Sequence, residues 1–279
     1  MAKFNIFDSL SELKLKALDN NIEFYKGISE CTLSKLSLET KEFLVKHGNL
    51  VASDGTYLSN IKILNNYAVD MISSLGEARA GNVLLGQNLT TKKFLAFKPM
   101  DKFETTHTNH ITELLDSRGF QGIITHPENQ DLILFGVDLI DGVTFKNIKQ
   151  IADKINEAAR YLMAYNLVQE FKYFVTHHVI QQDKNFGNFI IDVRDFSIKI
   201  IDYGRCEDSN DDDPFIKIAG LIDCIFANNA PIDEQYHGYM TKYTNSIFQG
   251  FLEKISESNE YDGEFFSNII GSLPFSEEI

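Results

Sequence analysis

The sequence predicts an α+β fold in which a small antiparallel sheet precedes a mainly helical region. Four short apolar segments between residues 82 and 136 are separated by turn-forming residues, which is the pattern of strands joined by tight turns. Residues 151–168 instead carry apolar side chains at the spacing of one helix face. A chain of 279 residues is long enough to bury a substantial core in such a fold.

The N-terminal part of the chain, residues 1–66, is predicted to be a helical extension. Residues 10–18 and residues 38–45 both carry apolar side chains at helical spacing. Ser37 directly precedes the second segment, and either Ser37 or Ser34 is suited to cap it. We therefore expect this extension to precede a separate domain that covers residues 67–279.

The sheet and the helices that follow it are predicted from periodicity and turn residues. The predicted strands cover residues 82–86, 93–97, 122–125 and 131–136. Helices are predicted over residues 108–116, 151–168, 215–226, 239–255 and 263–270.

The most informative segment runs from Gln181 to Asn188 and is followed by an apolar strand and by Asp202-Tyr203-Gly204. Asp183 precedes Asn188 by five positions, and a strand-turn-strand pattern returns the chain to Asp202. Carboxylate and amide oxygens, together with phosphate oxygens, are the ligands that Mg²⁺ prefers. The pattern predicts Asn188 and Asp202 as magnesium ligands and Asp183 as the residue that faces a substrate hydroxyl.

Two further features indicate a phosphate group. The Gly-rich segment from Gly76 to Val83 forms a turn whose backbone amides can approach phosphates. Fifteen residues later, Lys98 ends a predicted strand and can reach phosphates as a compact charge. Because a half-buried ammonium requires a paired carboxylate, we expect Glu113 to pair with Lys98, with Asp116 as the second choice.

In this order, the motifs resemble those of the protein-kinase-like superfamily. Asp183 and Asn188 match the separation in the family's catalytic loop, and Asp202-Tyr203-Gly204 is similar to its Asp-Phe-Gly metal loop. The resemblance implies a two-lobed fold with a small antiparallel N-lobe and a mainly helical, truncated C-lobe. The N-lobe would cover residues 67–136, the hinge residues 137–143 and the C-lobe residues 144–279.

The resemblance also implies ATP and Mg²⁺ as cofactors, with roles for individual residues. Asp183, Lys98 and Glu113 would be catalytic, and Asn188 and Asp202 would hold the metal. The residues expected to contact ATP are Gly76, Ala78, Gly81, Val83, Lys98, Phe135, Asp138 and Leu139.

The chain departs from the family pattern at several positions. Gln181-Gln182 replaces the usual His-Arg before the catalytic Asp, which argues against activation by phosphorylation of the following loop. The amide of Gln181 can still donate one hydrogen bond to the metal loop. Ala78 replaces a glycine, and no Ala-Pro-Glu follows Gly204. The short segment after Gly204 resembles that of minimal kinases among bacterial effectors, which phosphorylate host proteins.

Composition restricts the partners. A net charge of −14 disfavours nucleic acid and suits a basic protein surface or a cationic small molecule. No apolar run approaches the length of a membrane span. The three cysteines lack metal-ligand spacing, and the start of the sequence lacks the apolar core of a secretory signal. We therefore expect a cytoplasmic protein, or one delivered as an effector into the cytosol of a host cell.

Two alternatives to a Ser/Thr protein kinase stay open. Asp202-Tyr203-Gly204-Arg205 and Asp213-Pro214-Phe215 also resemble motifs of aminoglycoside and choline kinases, which act on small molecules. The substitutions at Ala78 and Gln181-Gln182 also fit a nucleotide-binding pseudokinase that acts by protein contact through residues 1–66.

Overall fold

The computed structural model describes residues 10–19, 22–181, 183, 185–208, 221 and 225. Its α-helices are α1 (Leu10–Ala17), α2 (Glu30–Leu33), α3 (Leu38–His47), α4 (Lys102–Leu114) and α5 (Glu157–Thr176). Its strands are β1 (Phe24–Tyr25), β2 (Ile28–Ser29), β3 (Ile61–Leu64), β4 (Tyr67–Asp70), β5 (Gly76–Ala78), β6 (Gly81–Asn88), β7 (Phe94–Met100), β8 (Phe120–Thr125), β9 (Ile133–Asp138), β10 (Gly142–Thr144), β11 (Val179–Gln181), β12 (Phe189–Asp192), β13 (Ile198–Ile200) and β14 (Cys206–Asp208). Short 3-10 helices occupy Phe145–Lys154, Phe186–Asn188 and Tyr203–Arg205.

These elements form two compact units. The sheet unit comprises residues 22–142, and the helix unit comprises residues 10–19 and the described residues from Val143 onward. The boundary follows Gly142 and falls inside residues 137–143, the segment that the resemblance assigns to a hinge. The mixed α/β content with an antiparallel sheet is consistent with a kinase-like fold, and the division into kinase lobes stays a prediction.

The sheet unit is built on a seven-stranded antiparallel sheet with the order β3-β4-β6-β7-β9-β8, in which β5 also pairs with β6. Strands β6, β7, β8 and β9 lie where the periodicity predicted them. The sheet nevertheless begins at Ile61, ahead of the predicted boundary at residue 67, because β3 pairs with β4. Asn65 and Asn66 form the connecting turn, and Asn65 adopts a left-handed conformation with φ 53° that asparagine tolerates.

Apolar cores cover both faces of this sheet. One cluster comprises Val69, Leu84, Leu95, Phe97, Ile124 and Leu134. The other joins residues of the N-terminal segment to the opposite face and comprises Ile28, Leu33, Leu36, Leu44, Leu50, Ile61, Ala68, Leu85 and Leu139. Residues 22–66 are therefore part of the sheet unit, and the prediction of a separate extension over residues 1–66 was wrong for them.

Two glycines on the strands next to β7 leave room for the ring of Phe97. The Phe97 ring occupies the space that a side chain would fill at Gly86 and at Gly136. A Cβ at Gly86 would lie 2.3 Å from Phe97 Cε2, and a Cβ at Gly136 would lie 2.7 Å from Phe97 Cε1. Such distances are not tolerated in a packed interior. The two glycines thus allow this ring to pack over β6 and β9, on the face opposite to that of Lys98, the next residue of β7.

The helix unit is organised around α5, which contacts α1. The helix predicted over residues 151–168 begins later, at Glu157, because Asn156 caps its N-terminus by accepting a hydrogen bond from Ala159 N–H at 2.8 Å. Asn156 Nδ2 also donates to the Lys16 carbonyl at 2.8 Å, which ties the two helices together.

Several predicted features lie outside the described residues. The helix predicted over residues 215–226 is described only at Leu221 and Ile225, which are both buried. The segment from residue 209 to residue 220, the predicted helices over residues 239–255 and 263–270, and Gln182 are not among the described residues.

Candidate active site

The loop that carries Asp183 is held by successive side-chain to backbone hydrogen bonds. Asp183 Oδ1 accepts from Asn185 N–H at 3.0 Å, and Asn185 Oδ1 accepts from Gly187 N–H at 2.8 Å. Asp and Asn favour such turns because their short side chains reach the backbone two residues ahead. The 3-10 helix Phe186–Asn188 follows, and the buried Phe186 side chain anchors it. Bonds between neighbouring residues therefore specify the turns of this loop.

Asn188 and Asp202 are brought together at one end of the β12–β13 hairpin. The two strands pair antiparallel, with Phe189 opposite Ile200. One step further, Ile201 N–H donates to the Asn188 carbonyl at 2.7 Å. Asp202 is the next residue, so the two oxygen-bearing side chains predicted as metal ligands come from adjacent backbone positions.

Asp202 itself adopts a left-handed backbone conformation, with φ 65° and ψ 74°. This region is uncommon for residues other than glycine, but Asp and Asn occupy it more readily than other side chains. Asp202 Oδ1 accepts a long hydrogen bond from Gly204 N–H at 3.4 Å, at the start of the 3-10 helix Tyr203–Arg205. Asp202 therefore lies in a turn after β13, and the chain no longer follows the direction of that strand.

Gln181 joins the two loops. Its side chain is 3% exposed. Nε2 donates to the Asp202 carbonyl at 3.1 Å, and Oε1 accepts from Asp183 N–H at 2.9 Å. The prediction that the Gln181 amide donates one hydrogen bond to the Asp202-Tyr203-Gly204 segment is confirmed, and the second bond links the same side chain to the Asp183 loop.

Helix α5 contacts the β12–β13 hairpin through a buried carboxylate and the turn after it through an aromatic ring. Glu170 Oε1 accepts from Ile200 N–H at 3.2 Å, and its Oε2 lies 3.3 Å from Lys199 Nζ. The Phe174 ring packs edge-on against Tyr203, with the ring centroids 5.9 Å apart. Glu170 was not among the residues predicted from the sequence, although a glutamate within an apolar helix is a recognisable sign of a buried polar contact.

In the sheet unit, Lys98 pairs with Glu104. The Nζ to Oε1 distance is 2.9 Å, and the two side chains are 15% and 16% exposed. The prediction that Glu113 pairs with Lys98 was wrong, because Glu113 lies near the other end of α4 and accepts a hydrogen bond from Asn109 at 2.8 Å. Asp116 lies beyond the helix end, with φ 53°.

The early start of α4 explains this correction. Asp101 caps the helix by accepting from Glu104 N–H at 2.8 Å, and α4 begins at Lys102, only one residue after β7 ends. Glu104 therefore stands in the first helical turn, next to the strand that carries Lys98. The spacing of Asp101 and Glu104 is that of a helix-capping pair, and it could have indicated this start from the sequence.

The Gly-rich segment forms a tight hairpin between β5 and β6. Gly76 pairs with Val83, and Ala78 pairs with Gly81, which leaves two residues in the turn. Gly81 has φ 140°, a conformation that disfavours side chains with a Cβ. Val83 precedes Leu84, which pairs with Phe97 of β7. The hairpin therefore ends level with Lys98.

The predicted hinge residues are arranged along β9 and after it. Phe135 stands directly opposite Lys98 in the β7–β9 ladder, and its ring packs against Phe120. The amide of Asp138 donates to the Gly119 carbonyl at 2.8 Å, and the amide of Leu139 donates to the Phe94 carbonyl at 3.2 Å. These two amides are thus already engaged within the protein.

The donor set fits Mg²⁺ only if phosphate contributes further ligands. Among the described residues, no group of three or more His, Cys, Asp or Glu side chains could enclose a metal ion. Asn188 is buried, and its Nδ2 has no hydrogen-bond partner within the described part of the chain. One carboxylate and one amide oxygen are typical of magnesium sites that the nucleotide completes, rather than of a cage built from protein alone.

Comparison with known proteins gives one partial match. No family model matches the chain. The chain is 25% identical over 184 residues to the Dictyostelium discoideum protein named "Probable serine/threonine-protein kinase mkcC". The match covers 57% of this chain, and the chain spans about a fifth of that relative, 20% of its length. This similarity supports a kinase-like relationship.

Within the part of the chain that the structure describes, no helix combines the length and the apolar character needed to cross a membrane.

Proposed function

We propose that this chain is an ATP- and Mg²⁺-dependent phosphotransferase that acts as a Ser/Thr protein kinase of the bacterial-effector type. The observation that carries the proposal is the junction of the two loops. Gln181 hydrogen-bonds to both Asp183 and Asp202, and Asn188 pairs with the residue before Asp202. Three oxygen-bearing side chains are thereby carried by two loops that these hydrogen bonds hold next to each other.

In this proposal, Asn188 and Asp202 hold the metal, which would neutralise phosphate charge when bound. Asp183 orients the acceptor hydroxyl and takes its proton. The acceptor oxygen forms a bond to the γ-phosphorus while the bond from that phosphorus to the bridging oxygen breaks, and ADP leaves. The rigid turns from Asp183 to Gly187 favour this role, because catalysis of phosphoryl transfer depends mainly on positioning.

Lys98 is proposed to bind the α and β phosphates. The partly buried pair with Glu104 restricts the conformations of its side chain. Since Glu104 belongs to a helix that begins one residue after β7, the pair needs no movement of a distant element to form. We infer that the enzyme does not depend on activation-loop phosphorylation, as Gln182 in place of the family's arginine also suggests.

The adenine is proposed to lie beside the segment that follows β9. Because the amides of Asp138 and Leu139 already donate within the protein, the adenine contact moves to Ile140, the next amide along the chain. Phe135, opposite Lys98, and Val83, level with Lys98, would bound the nucleotide on the sheet face.

A basic region of a protein is the proposed acceptor, since a net charge of −14 favours a cationic partner. A cationic small molecule is the second candidate, because Arg205 directly follows Gly204 as in the aminoglycoside and choline kinases. Both acceptors carry a hydroxyl group, so the same residues would serve either reaction.

The test uses the full chain with MgATP labelled at either the α or the γ phosphorus. One tube contains histone and casein as protein acceptors, and another contains choline and an aminoglycoside. The Asp202→Asn variant is the control for contaminating kinases. Transfer of the γ label to protein is the expected result.

Each of the other outcomes indicates a different function or refutes the proposed site. Transfer of the γ label only to the small molecules indicates the small-molecule kinase, and transfer of the α label indicates an AMP transferase. Binding of MgATP without transfer of either label indicates a pseudokinase. Equal labelling by the wild type and by Asp202→Asn would refute the proposed site.

A further inference from the structure

A buried carboxylate lies at the end of the segment proposed to contact adenine. The side chain of Asp141 is 1% exposed. It accepts hydrogen bonds from the Ser29 amide at 2.8 Å, from the Ser29 hydroxyl and from the Thr32 hydroxyl. Hydrogen bonds to an ionised group are about twice as strong as those between neutral groups. Three such donors are enough to keep this carboxylate inside the protein.

A second contact holds the next residue. Lys35 Nζ donates to the Gly142 carbonyl at 2.7 Å. Burial lowers the pKa of Lys35, with Cys31 and Asp141 acting in the opposite direction. We call this set the clasp: Ser29, Thr32 and Lys35 on one side and Asp141 with Gly142 on the other. Ser29 also caps α2, so the donors are held by a regular turn of helix.

The segment that carries the clasp also packs on the sheet face from which Lys98 projects. Leu33 and Leu36 belong to the same cluster as Leu139, and Ala96 packs against that cluster. Ala96 and Lys98 lie two positions apart on β7, so their side chains point to the same face. The N-terminal segment thus covers part of the face on which the nucleotide is proposed to bind.

We propose that the clasp positions the nucleotide-binding segment 137–143, so that Asp141, Ser29 and Thr32 are positioning residues for ATP. The inference rests on the proposed ATP site. Without the two hydroxyl donors, only the Ser29 amide would remain, and the Asp141 carboxylate would move toward water, because a poorly paired buried charge is strongly unfavourable. The backbone after Leu139 moves with it. Only the fraction of molecules with this segment in place then binds ATP, and the apparent affinity falls by that fraction.

The test compares variants of one short helix. Thr32→Val removes a hydroxyl while keeping the shape, and the Ser29→Ala/Thr32→Val double variant removes both hydroxyls. Thr32→Ser restores a hydroxyl and serves as the rescue. Ser34→Ala is the matched control, because the hydroxyl of Ser34, the C-cap of the same helix, donates to the Cys31 carbonyl at 2.9 Å and not to Asp141.

The measurements are MgATP binding, the KM for ATP, kcat, and amide hydrogen exchange in residues 138–142. We expect the double variant to raise the KM for ATP and the Kd for MgATP about tenfold with kcat changed less than about twofold, since only the competent fraction changes. Hydrogen exchange in residues 138–142 should accelerate. Thr32→Ser and Ser34→Ala should stay within about twofold of wild type.

The possible failures are distinguishable. Faster exchange in residues 138–142 without a change in MgATP affinity or KM overturns the inference and leaves the proposed function intact. A wild-type protein that does not bind MgATP refutes the proposed function, and the inference with it. If the double variant does not fold, the single Thr32→Val variant decides the question by the same criteria.

Discussion

The side chain of Gln181 holds Asp202 by its backbone: Nε2 donates to the Asp202 carbonyl at 3.1 Å. A left-handed residue in a short loop is intrinsically strained, and this bond from a buried amide helps to keep it in place. The same side chain accepts from Asp183 N–H, so one residue sets the relative position of both loops.

The two bonds of Gln181 can be separated by substitution. Gln181→Met removes both and should lower kcat about tenfold or more, because misplaced catalytic groups lose transition-state contacts first. It should also lower the free energy of unfolding by about 1–3 kcal/mol, since buried partners are left unsatisfied. Gln181→Glu keeps the acceptor for Asp183 N–H but loses the donor to Asp202. Steady-state kinetics and urea denaturation give both quantities.

The matched control is Gln150→Met, at an exposed glutamine of the same unit. A Gln181→Met variant that loses stability but keeps the kcat of wild type would mean that the residue supports only the fold.

The carboxylate that pairs with Lys98 is identified by comparing two glutamates on one helix. Lys98→Met and Glu104→Gln should each slow phosphoryl transfer at least tenfold, since each removes part of the proposed phosphate-binding pair. Glu113→Gln is the control and should stay within about twofold of wild type. Initial rates at several ATP concentrations are the measurement. A large effect at Glu113 with none at Glu104 would reverse the assignment drawn from the structure.

The metal role of Asp202 is best tested with asparagine. Asparagine tolerates the left-handed backbone at this position, so Asp202→Asn removes the charge without adding the strain that alanine would introduce. Transfer should fall at least a hundredfold, because the proposed metal would supply several kcal/mol of charge stabilisation. Asp195→Asn, in the exposed turn between β12 and β13, is the control. Magnesium titrations of the transfer rate in which the two variants behave alike would reject Asp202 as a ligand.

Substitution of Glu170 should lower the free energy of unfolding, although Glu170 lies on α5 and not in the loops of Asp183 and Asp202. Glu170→Ala leaves Ile200 N–H without its acceptor and Lys199 without its buried partner, and should cost about 2–4 kcal/mol. Glu170→Gln keeps an acceptor and should cost less. Urea denaturation measures the difference. Equal stabilities of the alanine and glutamine variants would show that the hydrogen bond to the strand contributes nothing.

The thiol of Cys31 should react slowly at neutral pH. Burial raises its pKa, while the nearby Lys35 lowers it. The folded protein should therefore be alkylated by iodoacetamide more slowly than the unfolded chain, with a rate that rises at alkaline pH as thiolate forms. Because the raised pKa stabilises the neutral thiol in the folded state, its contribution to stability is lost as the pH rises through that pKa.

The Lys35→Met variant extends this test. Removing the ammonium should raise the pKa of Cys31 further and slow alkylation again. Peptide mass spectrometry follows Cys31 separately from the other cysteines. Alkylation of folded Cys31 at the rate of the unfolded chain would contradict the expected environment of the thiol.

The strands and the loops were predictable because their determinants are local. Alternating apolar residues and turn residues located strands β6 to β9, and Ser37 caps α3 as expected, by accepting from Thr40 N–H at 3.2 Å. The apolar strand after Asn188 returns through a short hairpin, so the approach of Asp202 follows from a few neighbouring residues. The catalytic and metal roles of these residues stay predictions.

The partner of Lys98 was mistaken because it depends on where α4 begins. Apolar periodicity placed the helix at residues 108–116, while the cap at Asp101 starts it at Lys102. A shift of one or two helical turns moves a different side chain to the end of the strand. Glu104 is therefore selected by the helix start, and Glu113 is carried away from Lys98.

The sequence by itself determined the order of the strands along the chain, the turns of the Asp183 loop and the motifs that resemble a kinase, because neighbouring residues specify each of them. Only the tertiary structure decided that residues 22–66 belong to the sheet unit and that Ser29 hydrogen-bonds to Asp141, 112 positions away. Contacts of that separation depend on which surfaces are buried together when the whole unit packs, and periodicity along one segment carries no information about them.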